Sequence, residues 1–153
     1  MKKPKVLILI GSNSDKEYID ECTKVLNDFG IGYDLQVTSA HRSPERTRKI
    51  ASNAERNGIE VIITAAGFAA ALPGAVAAYT ILPVIGVPLP TSNLNGVDSF
   101  CSIVQMPKGV PVACMAIGKA GCVNAAILAI QILALKYPVI RKKLLTRKTN
   151  KIY

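Results

Sequence analysis

Lys5-Val6-Leu7-Ile8-Leu9-Ile10-Gly11-Ser12-Asn13-Ser14-Asp15 is the stretch on which the fold turns. Residues 5–10 form a short apolar run with β-branched members, the pattern of a buried strand. A small polar loop follows. Residues 16–29 then place Tyr18 or Ile19, Cys22, Val25, Leu26 and Phe29 at helical spacing, and Gly30 closes the helix as a C-cap. Strand, polar loop and helix in that order open a βαβ unit. The loop also has a chemical use. Free N–H groups and the dipole at a helix N-terminus favour an anion such as phosphate, and serine hydroxyls add donors. The motif is neither a Walker loop nor GxGxxG. Ser14 or Asp15 serves equally well as a helix cap, and capping is compatible with facing a ligand.

The same alternation continues outward. Residues 33–38 read as a second strand, 44–57 as an amphipathic basic helix closed by Gly58, and 59–64 as a third strand. Residues 83–87 give a fourth strand and 110–116 a fifth. Residues 97–106 suit a helix inside a long, turn-rich connection, a kind of segment that often carries function. Gly118-Lys119-Ala120-Gly121 opens a helix over 122–135 that is apolar nearly all round and so is expected to be buried. Pro138 starts a last, basic helix that frays toward Tyr153. The expectation is an α/β fold with a parallel five-stranded sheet and right-handed crossovers. Residues 1–153 make one domain, with the basic helix and tail from about 138.

The totals narrow the partners. Half of the 153 residues are apolar, rich for a monomer that must show water a polar surface, so a homo-oligomer is expected. The net charge of +9 is concentrated: all ten acidic residues lie at or before Asp98, while seven Lys and Arg fall between Lys136 and Lys151. Such a run is a solvated face more often than a nucleic-acid site, and few aromatics and no Trp argue against base stacking. Cys22, Cys101, Cys114 and Cys122 have no CxxC spacing and no second histidine to join them, which gives free thiols, a reducing compartment and no metal site. The longest apolar stretch, 123–135, is too short for a bilayer and the first strand too short for a signal peptide. The reading is a cytoplasmic protein with no membrane and no nucleic-acid partner.

One imidazole stands out. His41 is the chain's sole histidine, and histidine alone among side chains has an unperturbed pKa near neutrality. It sits in Ser39-Ala40-His41-Arg42-Ser43-Pro44, between a strand end and a helix that Ser43 caps and Pro44 opens. In open α/β sheets, ligands bind in such crevices. A second strand end leads into Ala65-Ala66-Gly67-Phe68-Ala69-Ala70-Ala71-Leu72-Pro73-Gly74, which has no ionisable side chain. Its small residues allow close approach either of a ligand or of a packed helix.

Three stretches together resemble one family. The loop of residues 11–15, the 39–44 turn and Ser102-Ile103-Val104-Gln105-Met106-Pro107 are similar to class I N5-carboxyaminoimidazole ribonucleotide mutases of purine biosynthesis. Leu82-Pro83-Val84-Ile85-Gly86-Val87-Pro88, Asn95-Gly96-Val97-Asp98-Ser99 and Ile117-Gly118-Lys119-Ala120-Gly121 with Asn124-Ala125-Ala126 extend the likeness over roughly residues 4–144. The resemblance implies a three-layer flavodoxin-like fold with a C-terminal helical extension. It implies an octamer whose C-terminal helices reach neighbouring subunits, and a reaction without cofactor. A carboxylate moves from the exocyclic nitrogen of an aminoimidazole ribonucleotide to carbon 4 of the ring. By the same match, Ser12, Asp15 and Arg42 hold the ribose phosphate end, His41 is the acid/base, and Ser14, Ser39, Gly67 and Met106 line the site. Given that chemistry, Ala65, Ala66, Ala69, Ala70 and Ala71, with Gly67, would wall a pocket for trapped carbon dioxide.

The third loop departs from the family. Class I members usually read Gly-Ala-Gly-Gly-Ala-Ala-His-Leu-Pro-Gly there. Here Phe68 stands where glycine, or sometimes an aliphatic residue, is common, and Ala71 replaces a histidine, which leaves His41 without a partner imidazole. The class II carboxylase, which uses free carbon dioxide, also lacks that histidine. It typically has lysine at the Arg42 position and lacks the Val-Gln-Met-Pro loop. A non-catalytic nucleotide-binding member is the third reading.

Overall fold

A computed structural model describes residues 3–149. Five parallel strands, β1 (Val6–Ile10), β2 (Tyr33–Val37), β3 (Val61–Ala66), β4 (Val84–Pro88) and β5 (Ala113–Cys114), pair in the order β2-β1-β3-β4-β5. Helices α1 (Lys16–Phe29), α2 (Pro44–Asn53), α3 (Leu72–Ala77), α4 (Val97–Val104), α5 (Lys119–Lys136) and α6 (Pro138–Thr149) join and follow them.

The alternation of a strand makes the three layers. Val6, Ile8 and Ile10 point to one face with Val61, Ile63 and Ala65, where α1 and α5 bury Ile19, Cys22, Leu26, Cys122, Ala126 and Ile130. Leu7, Leu9, Ile62 and Ala66 point to the other, under Ala51, Leu72, Val76 and Ile103 of α2, α3 and α4. Every residue of β1, β3 and β4 is buried, as a sheet covered on both faces requires. This is the flavodoxin-like architecture.

The expected boundaries shift where backbone bonding outweighs propensity. β3 runs two residues later than the apolar pattern suggests. The Ile59 amide closes the end of the α2 segment on the Ala54 carbonyl, with Gly58 left-handed at φ 86°. Ala65 and Ala66, poor strand formers, are held in the sheet by register with Ile10 and Pro88. Helix α2 ends at Asn53 rather than 57, and α4 at Val104 rather than 106. Strand β5 shrinks to two residues beside Pro111, which has no N–H to donate. Helix α3 was not expected, because its residues are uniformly small or apolar and show no period.

Helix α5 is longer than expected, at 18 residues, so length and composition alone would let it cross a membrane. It packs instead against α1, β3 and β4 as a core helix. Helix α6 has no buried residue and lies on α5. Its base is fastened by Glu60, which accepts bonds from Lys5 (2.6 Å), Tyr137 (2.5 Å) and Lys136 (3.3 Å). The fraying expected toward Tyr153 lies outside the described residues.

Candidate active site

At the end of β1 the chain turns through Gly11 into Ser12, whose extended backbone starts a short 3-10 turn at Asn13–Asp15. Ser12 caps this turn, while Asp15 holds the N-cap position of α1 as expected but makes no side-chain cap bond to that helix. Ser12 Oγ accepts from the Ser14 amide (3.3 Å), and Asp15 Oδ2 reaches back to accept from the Ser12 amide (3.0 Å). The Ser14 hydroxyl donates to Ser12 Oγ at 3.0 Å. Asp15 is 5% exposed. Burial pushes its carboxyl above the ordinary range, opposed by the Ser12 and Gly11 amides, the Ser14 hydroxyl and the Arg42 charge.

The β2 loop is set from beneath. The Thr38 amide donates to the Ile10 carbonyl, and the Thr38 and Thr47 hydroxyls bond at 2.8 Å inside the fold. Pro44 opens α2 as expected, but the Ser43 hydroxyl makes no cap bond to the helix. It closes the loop instead, accepting from the Ser39 amide and donating to the Ser39 carbonyl, both at 3.1 Å. Ser39 Oγ accepts from the Arg42 amide (3.2 Å). With its backbone held, Arg42 donates from Nη2 to the Gly11 carbonyl at 3.2 Å. The His41 ring is exposed and lines the same cleft.

The third wall follows β3. A β-carbon on Gly67 would stand 1.7 Å from Thr91 Oγ1, so only glycine lets the β3 and β4 loops come this close. Phe68 adopts φ 53° and is 62% exposed. Ala69 is exposed, Ala70 is buried, and Ala71 precedes the first turn of α3.

These loops enclose a cleft of about 690 Å³, within the usual range for a small-molecule site. It opens at the C-terminal edge of the sheet, across the point where the chain leaves β1 to either side. Ser12, Ser14, Asp15, Ser39, His41, Arg42, Ala66, Gly67, Phe68, Ala69, Ala70 and Ala71 all line it. Two expected residues do not. Ala65 faces the α1 and α5 side of the sheet, because strand alternation turns it away from Ala66. Met106 does not line the cleft; its Sδ and Cε lie beside the Gly74 position. The sequence reading missed Thr91, which lines the cleft from the long loop after β4. The only signal for it was that loop's length and its turn residues. Among the described residues, no group of three or more His, Cys, Asp or Glu is placed to hold a metal.

A serine-rich helix start, one arginine and one imidazole now share a cleft. Residues 5–152 match the sequence model of the AIR carboxylase family. The chain belongs to this family. It is 57% identical over 141 residues to the N5-carboxyaminoimidazole ribonucleotide mutase of Saccharolobus solfataricus, covering 92% of this chain and 88% of that protein. It is 55% identical over 141 residues to the enzyme of the same name from Pyrococcus abyssi, covering 92% and 80%. The crystal structure of Treponema denticola PurE superposes with a TM-score of 0.83 at 30% identity, covering 97% of this chain and 94% of that one. The AIR carboxylase family likeness thus spans the strands, the cleft loops and the C-terminal helix together.

Proposed function

We propose that this chain is an N5-carboxyaminoimidazole ribonucleotide mutase, an isomerase of purine biosynthesis acting in the cytoplasm as one domain. The observation that carries the reading is the convergence of the phosphate-type loop, Arg42 and the sole histidine in one cleft. The names of its relatives agree with it. Arg42 and the hydroxyls of Ser12 and Ser14 are donors suited to a phosphate. The Asp15 carboxylate only accepts hydrogen bonds when ionised, so a ribose hydroxyl suits it better than an anion.

The reaction needs two proton movements that cancel. The exocyclic N–CO2 bond breaks, its electron pair stays on nitrogen, and His41 gives that nitrogen a proton. Carbon 4 then attacks the freed carbon dioxide, forming the new C–C bond. His41 takes the proton that carbon 4 loses, so the imidazole ends as it began. The apolar wall of Ala66, Ala69, Ala70 and Ala71 keeps water from the one-carbon intermediate.

Steady-state turnover of the carboxyamino substrate tests the reading. His41→Asn lowers kcat by about 10²- to 10⁴-fold, the usual share of a general acid/base, and changes ligand affinity little. Near-normal turnover would refute the assignment. The absence of a histidine at Ala71 favours the class II carboxylase as second reading. That enzyme would incorporate labelled carbon dioxide from solution efficiently; a mutase would not.

The protomer exposes Tyr79 and Ile81 between α3 and β4, Leu94, Val97 and Phe100 after β4, and Leu135 and Val139 at the α5–α6 end. Apolar surface of this extent supports a homo-oligomer, with the octamer as the family's form. Light scattering that reports a monomer would contradict it.

A further inference from the structure

Phe68 combines three features that the chemistry above does not use. Its φ of 53° is a left-handed backbone that bulky residues rarely adopt. Its ring is 62% exposed, so it adds little to the core. Besides the His41 imidazole, it is the one aromatic ring among the lining residues of the cleft. The loop around it is held on both sides, by Gly67 wedged against Thr91 and by buried Ala70. Backbone strain kept for a ring that packs no core points to a contact made with something else.

We propose that Phe68 is a specificity-determining substrate contact whose ring stacks on the aminoimidazole ring of the ribonucleotide. This rests on the mutase reading of the cleft. The phosphate-type donors lie on the loops after β1 and β2, and Phe68 lies on the loop after β3. A nucleotide anchored by its phosphate at the first two loops extends its heterocycle toward the third. A planar, electron-rich imidazole is a suitable stacking partner for an aromatic face. Phe68 would therefore distinguish a ribose phosphate that bears a ring from one that does not.

Calorimetric titration with 5-aminoimidazole ribonucleotide and with ribose 5-phosphate tests this on the full-length protein. Phe68→Gly should weaken the ring-bearing ligand roughly three- to tenfold and leave ribose 5-phosphate unchanged. It should also raise the melting temperature, since glycine adopts positive φ without strain. Phe68→Tyr should keep the affinity of the parent. Equal weakening of both ligands, or of neither, would overturn the inference while leaving the mutase reading intact. So would loss of assembly in Phe68→Gly by light scattering, which would make the ring a subunit contact. A parent protein that does not bind 5-aminoimidazole ribonucleotide at all would overturn the mutase reading and this inference with it.

Discussion

Arg42 Nη2 donates to the carbonyl of Gly11 at 3.2 Å, across 31 residues of sequence. The bond ties the loop after β2 to the loop after β1, so the cation and the serine hydroxyls keep one relative position. Lysine cannot reproduce this: it lacks the planar fork that grips a carbonyl and still presents N–H groups to an anion. Arg42→Lys should raise KM about tenfold with little change in melting temperature, because the side chain is exposed. Steady-state kinetics and a thermal melt of the same sample check both halves.

Gly67 and Thr91 make a second, steric coupling. Gly67→Ala would put its β-carbon 1.7 Å from the Thr91 hydroxyl and should cost roughly 1–3 kcal/mol as overpacking. Thr91→Ala removes that oxygen, though the Thr91 Cβ at 3.0 Å stays in place. The double variant should therefore recover part of the loss and not all of it. Denaturant unfolding of the four proteins in a double-mutant cycle measures the coupling.

The charge knot at the base of α6 predicts a pH dependence. Burial acts to raise the Glu60 carboxyl, but bonds from Lys5, Tyr137 and Lys136 together bring it below its ordinary 4.5. A lowered acid stabilises the fold above its unfolded value, and that contribution is lost as pH falls through the lower folded one. Glu60→Gln should cost roughly 1–2 kcal/mol at pH 7, and the gap to the parent should narrow below pH 4.5. Lys5 and Lys136 are raised chiefly by their bonds to Glu60, so their share is present at neutral pH and lost only above 10.5. Unfolding curves across pH give both limbs.

The cysteines should separate by reactivity. Cys22 and Cys122 are fully buried, and burial pushes both thiols up to about 12. Cys101 is exposed and Cys114 is partly covered, its thiol raised by burial. A chromogenic thiol reagent should modify Cys101 rapidly in the native protein and Cys114 more slowly. Cys22 and Cys122 should react only when guanidinium unfolds the chain.

What could be read in advance follows from how local each feature is. Val6 to Ile10, the helix behind Asp15 and the left-handed Gly30 that ends it depend on neighbours in sequence, and they came out as expected. The loops bearing Ser12, His41 and Arg42 were legible for the same reason, since each sits between a strand and a helix whose signals are strong. The ends of β3 and β5 were not, because ladder bonds to β1 and β4 set them. Residues 72–77 hid a helix in a run of small residues without contrast. Thr91 could not be found as a cleft residue, because its place there follows from contact with Gly67, 24 positions away. Ala65 escapes the sequence for a simpler reason: the apolar run ends at Thr64, while pairing with Ile10 carries β3 on through Ala65 and turns it away from the cleft.

The wall after β3 is braced by β4 and Thr91, while the opposite walls are braced by each other. The two halves of the cleft thus have separate supports. A substitution in the loop after β3, at position 68 or 71 for instance, can therefore be absorbed on that flank without disturbing the tie between Arg42 and the loop after β1.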